Sequence, residues 1–84
     1  MKYTILIERP AEKFITKLPR TEKERVLRAI AKLPEEGDRK AMQGHPGLYR
    51  LRVGAFRVLY TVDNGKLVVC VVDAGNRGDV YKRY

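Results

Sequence analysis

Residues 48–60 read LYRLRVGAFRVLY: two β-rich runs around Gly54-Ala55. A two-residue loop with glycine first suits a type II′ hairpin turn. That loop pairs Val53 with Phe56, Arg52 with Arg57, Leu51 with Val58 and Arg50 with Leu59. Side chains alternate faces along a strand, so Arg50, Arg52 and Arg57 share one face. Arg52 and Arg57 then stand directly opposite each other, and like charges so placed destabilise a sheet. A positive cluster that costs stability is best explained by an anion it receives.

Working outward, Asn64-Gly65 is the strongest turn signal in the chain and predicts a type I′ hairpin. It would join strands at about Phe56–Val62 and Leu67–Asp73, pairing Asp63 with Lys66, Val62 with Leu67 and Leu59 with Cys70. One face of the three strands from Leu48 onward then carries Tyr49, Leu51, Val53, Phe56, Val58, Tyr60, Val62, Leu67, Val69 and Val71. The other mixes the three arginines with Leu48, Leu59, Thr61, Val68, Cys70 and Val72, and reads as a concave surface open to a ligand.

Upstream, Tyr3 to Glu8 alternates as a strand does. Pro10 suits the first turn of a helix, whose apolar face is Ala11, Phe14, Ile15 and Leu18, with Pro19 ending it. Thr21 and Glu24 form a T-x-x-E capping box for a second helix, with Val26, Leu27, Ile30 and Leu33 as its apolar face and Pro34 at its end. The short Leu18-Pro19-Arg20 link makes the two helices an antiparallel hairpin. Glu35 to Gly47 reads as a polar connector. An apolar sheet face must be covered, and these helices are the available cover. The expected fold is α+β in the order β-α-α-β-β-β, an antiparallel sheet packed on a two-helix hairpin, forming one domain over residues 1–84.

The chain has 84 residues and a net charge of +8, with room for one modest core. Residues 1–47 hold 11 basic and 7 acidic groups, and residues 48–84 hold 7 and 3, so each part carries +4. That balance favours a polyanionic partner, either nucleic acid or an acidic protein. Cys70, the single cysteine, cannot form an internal disulfide and reads as a buried structural thiol in LVVCVV. No Asp, Glu, His or Cys cluster has metal-ligand spacing, so no metal or other cofactor is expected. The N-terminal apolar stretch is too short for a signal peptide, and nothing approaches transmembrane length. A cytoplasmic protein without a membrane partner is expected.

With that element order, LYRLRVGAFRVLYTV and the C-terminal GNRGDVYKRY carry a resemblance to a known family. The chain resembles the RelE/ParE superfamily of toxins from toxin–antitoxin systems over nearly its whole length. RelE-type members are ribosome-dependent messenger-RNA endonucleases, whereas ParE-type members poison DNA gyrase. By motif position the resemblance implies catalytic roles for Arg50 and Arg52, which match residues that are often lysine. It implies the same for Arg57 on the next strand, for Arg77 after the last strand and for Tyr81. All five positions hold suitable groups, which favours the RelE type.

The resemblance implies cleavage by the ribose 2′-hydroxyl, without metal, through a phosphorane whose added negative charge the guanidiniums would stabilise. Arginine hardly deprotonates, so it makes a poor general base, and Asn76 stands where the family usually has His or Lys. Tyr81 is the remaining base candidate, with base stacking or closing the core edge as its other readings. Arg77 reads equally as a local ion pair with Asp79. His45 reads as a turn residue, and Lys13, Lys17 and Lys23 as solvated helix faces or grips on ribosomal RNA phosphates. Implied partners are a RelB-like antitoxin, the ribosome and its messenger, with operator DNA reached only through the antitoxin. The competing readings are a ParE-like gyrase poison and a basic RNA-binding module without catalysis.

Overall fold

In a computed structural model of the chain, residues 3–33, 38–41, 44 and 47–76 are described. Strand β1 (Thr4–Ile7) leads into helices α1 (Arg9–Thr16) and α2 (Arg20–Ala31). Strands β2 (Asp38–Ala41), β3 (Leu48–Val53), β4 (Phe56–Asp63) and β5 (Val68–Asn76) follow. The sheet order is β1-β5-β4-β3-β2. The expected α+β fold therefore stands, with two additions. Residues 38–41 of the expected connector form a strand that pairs antiparallel with β3, its residues Asp38 and Lys40 in register with Arg52 and Arg50. The sheet is also mixed, because β1 lies parallel to β5, with Ile5 beside Val69 and Ile7 beside Val71. The amides of Thr4 and Glu8 bind the carbonyls of Leu67 and Val71, each at 2.8 Å.

The helices begin by backbone fit rather than by side-chain capping. Pro10 sits in the first turn of α1, where its missing N–H costs nothing. The expected Thr21–Glu24 capping box does not form. Pro19, extended at ψ 152°, occupies the N-cap position of α2, so Thr21 already lies inside the helix. The Lys23 amide bonds the Pro19 carbonyl at 2.8 Å. Glu24 instead accepts from Nε of Arg20 at 3.3 Å, an exposed i,i+4 pair worth little.

Both helices cover one sheet face. Ala11 and Ile15 from α1, with Val26, Ile30 and Leu33 around α2, bury against Leu51, Val53, Phe56, Val58, Tyr60, Val69 and Val71. Phe14 meets Phe56 edge-on at 5.7 Å between ring centroids. Leu27, expected on the buried face, is 39% exposed instead.

The first hairpin has the register that its loop demands, from Leu48↔Thr61 to Val53↔Phe56. Gly54 has φ +59°, and Ala55 is not in the left-handed region, as a type II′ turn requires. The second hairpin departs from expectation. Asp63 Oδ1 captures the Lys66 amide at 3.0 Å, and Leu67 takes the left-handed conformation at φ 56°. The loop is thus four residues, Asn64–Leu67, rather than an Asn-Gly type I′ turn. Asp63 pairs with Val68 and Thr61 with Cys70, a shift of two residues from the expected register. A two-residue shift keeps every side chain on its face, so Val69 and Val71 stay in the core while Leu67 leaves it.

Farther along, the ladder skips a residue: Tyr60 pairs with Val71 but Leu59 with Asp73, leaving Val72 as the extra residue of a β-bulge. Were Val72 paired with Leu59 in a regular ladder, Asp73 would face Val58, which is fully buried beneath the helices. The bulge turns Asp73 to the opposite face and sets Ala74 against Val58 and Gly75 against Arg57.

Deleting Val72 makes Asp73 follow Val71 directly, so ordinary alternation keeps Asp73 opposite Leu59 and the ladder closes without a bulge. The deletion should therefore cost about 1 kcal/mol or less. Urea unfolding measures it, and a loss of about 3 kcal/mol or more would rule out Val72 as the surplus residue of the ladder.

Candidate functional site: a graded arginine face

The face of the sheet turned away from the helices carries the predicted cluster. Arg50 and Arg52 project from β3, and Arg57 and Leu59 from β4, with Arg52 in register with Arg57 and Arg50 with Leu59. Hence the three arginines do come together, but not on an open surface. Arg52 is exposed and Arg50 half-buried, while Arg57 is only 5% exposed and Leu59 fully buried. The centre of this face is therefore covered, against the expectation of a uniformly open concave surface. Leu59 belongs to this second layer and stands outside the helix-side core.

Asp73, 3% exposed, is the residue that the sequence reading missed. Its register opposite Leu59 places it diagonal to Arg57 on the same face, a spacing that long side chains can span. Gly75, directly across from Arg57, adds no side chain there. Asp73 Oδ1 also accepts from the Ala74 amide at 2.8 Å, which fixes the carboxylate beside the bulge. The warning was present in LVVCVVDAGN, where simple alternation puts a charge in line with Val69 and Val71. Only a bulge resolves that conflict.

The helix-side core ends beneath Tyr49, whose ring stacks on buried Tyr60 at 5.6 Å and 25°. At the other side of the sheet, Cys70 is half-buried rather than sealed in the core. It donates its thiol proton to a Glu8 carboxylate oxygen at 3.3 Å. Burial chiefly, then that hydrogen bond and the Glu8 charge, push the thiol above its ordinary value of 9.0. At neutral pH it is a protonated thiol, poorly suited to nucleophilic work. The predicted Arg77 and Tyr81, like His45, lie outside the described residues. No helix among the described residues is long and apolar enough to cross a membrane.

The family model for the ParE toxin of the type II toxin–antitoxin system parDE matches residues 5–81. The chain belongs to the RelE/ParE superfamily. It is a toxin of a type II toxin–antitoxin system. Among solved structures, this toxin is similar to the RelE of an archaeal RelE–RelB complex from Pyrococcus horikoshii, at 29% identity and TM-score 0.75, covering 94% of this chain and 99% of that one. The isolated Escherichia coli RelE toxin is 26% identical with TM-score 0.73, covering 96% of this chain and 93% of that one. A chain of the Mycobacterium tuberculosis toxin–antitoxin complex RelBE2 is 25% identical with TM-score 0.75, covering 93% and 94%. None of the curated proteins matches the sequence.

The exposure gradient separates the arginines experimentally. Arg52→Thr should leave stability unchanged or raise it by about 0.5 kcal/mol, by relieving cross-strand repulsion. Arg57→Ala should cost about 2 kcal/mol, because it empties a buried site. Equal losses in chemical denaturation would contradict the gradient. For Cys70, alkylation at pH 8 should run slower than for a free thiol, and Glu8→Gln should accelerate it. The sign for stability follows: the folded thiol holds its proton to higher pH than the unfolded one, so this group favours unfolding as pH rises through 9.0 and beyond.

Proposed function

We propose that this toxin is a metal-independent endoribonuclease that cuts messenger RNA in the ribosomal A site. The carrying observation is the arginine face itself: Arg52 and Arg57 in direct cross-strand register, with Arg50 one same-face step away. Fixed guanidiniums suit a phosphate in flight, since their planar forks make paired contacts and their charge persists at any working pH. In the reaction, the 2′-oxygen bonds to phosphorus as the bond from phosphorus to the 5′-oxygen breaks. The 2′-hydroxyl proton leaves and the 5′-oxygen gains one, yielding a 2′,3′-cyclic phosphate and a 5′-hydroxyl. Buried Arg57 would hold its charge toward the developing phosphorane, in surroundings that strengthen the interaction. Exposed Arg52 and half-buried Arg50 would seat the substrate phosphates.

Proton transfer is assigned to the C-terminal segment, with Tyr81 as acceptor and Arg77 as a further charge on the phosphate. Without a strong base, positioning carries much of the rate, which supports dependence on the ribosome to align the RNA. The solved relatives from Pyrococcus horikoshii and Mycobacterium tuberculosis are toxin–antitoxin complexes, which supports a cognate RelB-like antitoxin as the regulating partner. The antitoxin's own DNA-binding part would bring the complex to operator DNA.

A second reading has its own support: the matching family model is that of ParE. In that case the toxin acts on gyrase and cuts no RNA. Programmed ribosomes separate the two. Messenger fragments ending in 2′,3′-cyclic phosphate support the nuclease; intact messenger with accumulating gyrase–DNA breaks supports the alternative. For the nuclease, Arg57→Lys, which keeps a charge but loses the fork, should slow cleavage by roughly 10²-fold. Arg77→Ala and Tyr81→Phe should each relieve growth arrest. If arrest persists in both, the assignment of the C-terminal residues is wrong.

A further inference from the structure

Beyond the arginine face, the tip of the β3–β4 hairpin meets the outer side of α2 in a cleft of about 320 Å³. Arg25, Arg28 and Lys32 line it from α2 and its C-cap, and Arg52 and Gly54 from the hairpin. No acidic residue lines it among the described residues. Spacings of three and four put the α2 cations on one helix stripe, where like charges repel. All four cations are exposed, and among the described residues none forms an ion pair. The negative end of the helix dipole accounts for Arg28 and Lys32 near the last turn. It does not account for Arg25 a turn earlier or for Arg52 across the cleft. Gly54 fits the arrangement: a Cβ there would come within 3.3 Å of Arg25 Nη1, so the hairpin tip carries the guanidinium close against its backbone.

Arg52 lines this cleft and also stands in register with Arg57 on the arginine face. We infer that the cleft is a second phosphate site, which grips the backbone of RNA one or more nucleotides away from the position of cleavage. The inference rests on the proposed action on RNA and deepens it. A strand whose reactive phosphate lies at Arg57 and Arg50 would pass Arg52 and leave along α2. The RNA is either the messenger itself or ribosomal RNA beside it; the backbone phosphate is the chemistry common to both.

The test uses the full-length toxin and the double variant Arg28→Ala with Lys32→Ala, which spares every residue assigned to cleavage. Affinity is measured over a series of salt concentrations for a single-stranded oligouridylate and for vacant ribosomes. The variant should melt at the wild-type temperature. It should bind about tenfold more weakly, with a salt dependence shallower by about 0.7 for each single-strand phosphate that it no longer neutralises. Weakening on the oligouridylate assigns the cleft to messenger, and weakening confined to ribosomes assigns it to ribosomal RNA. Unchanged affinity and salt slope on both would overturn the cleft site, as would loss of binding to an acidic antitoxin peptide with RNA binding intact. Cleavage by the wild type on programmed ribosomes is scored separately. A wild type that cuts, beside a variant with an unaltered salt slope, refutes the cleft alone. A wild type that binds RNA through the cleft without cutting refutes the nuclease alone.

Discussion

A carboxylate within an apolar strand dictates how β4 and β5 pair. Val69 and Val71 face the helices, so uninterrupted alternation would turn Asp73 the same way, against fully buried Val58. A carboxylate there would have to lose its charge or its hydration, either at a cost of several kcal/mol. Bulging Val72 out of the ladder removes that conflict and sets the charged face in the same step. Asp73 passes to the arginine face, Gly75 leaves room opposite Arg57, and Ala74 takes the place under the helices. The bulge is thus a structural necessity for the core and a positioning device for the charged face.

The exposure gradient across the arginines follows from that arrangement. Arg57 sits on the central strand between β3 and β5, with neighbours on both sides, and is almost wholly buried. Its place diagonal to Asp73 supplies a countercharge within side-chain reach. Arg52, in register with it but one strand nearer the edge, stays in solvent. A buried guanidinium is fixed and strongly felt; an exposed one is mobile and screened. Under the proposed action on RNA, the outer charges would capture the substrate and the inner one would stabilise the transition state.

Much of this was legible in the sequence where local signals had no competitor. Gly54-Ala55 set both the turn type and the register of the first hairpin, because positive φ at a first loop residue is cheap only for glycine. The Asn64-Gly65 signal lost to a side chain: Asp63 offered its carboxylate to the Lys66 amide, and a wider loop closed around it. The core survived the misreading, since a shift of two preserves face. The Thr21–Glu24 box failed similarly, because Pro19 already ends the preceding link in an extended conformation and starts the helix two residues sooner. Strand β2 was hidden because DRKA has no apolar alternation; its pairing with β3 supplies the order that its composition does not. Asp73 was missed for a different reason. Its conflict with strand parity was visible, but only tertiary burial shows that the conflict had to be resolved.

Membership of one superfamily leaves two chemistries on one fold, so the choice between them must come from side chains. At positions 50 and 52, where the resemblance implies that lysine is common, this chain has arginine, and the exchange is not neutral. A lysine desolvated among other cations can shed a proton and serve as base; a guanidinium cannot. What arginine supplies instead is a second donor in a fixed plane, suited to gripping a phosphate. An enzyme built on this face would therefore gain substrate hold at the expense of proton transfer. Its dependence on an external scaffold to align the 2′-hydroxyl would rise accordingly. Asp73, diagonal to Arg57, offsets part of the like-charge repulsion within the Arg52–Arg57 pair. What argues for the proposed phosphate at this face is Arg52, which the register sets beside Arg57 and leaves in solvent.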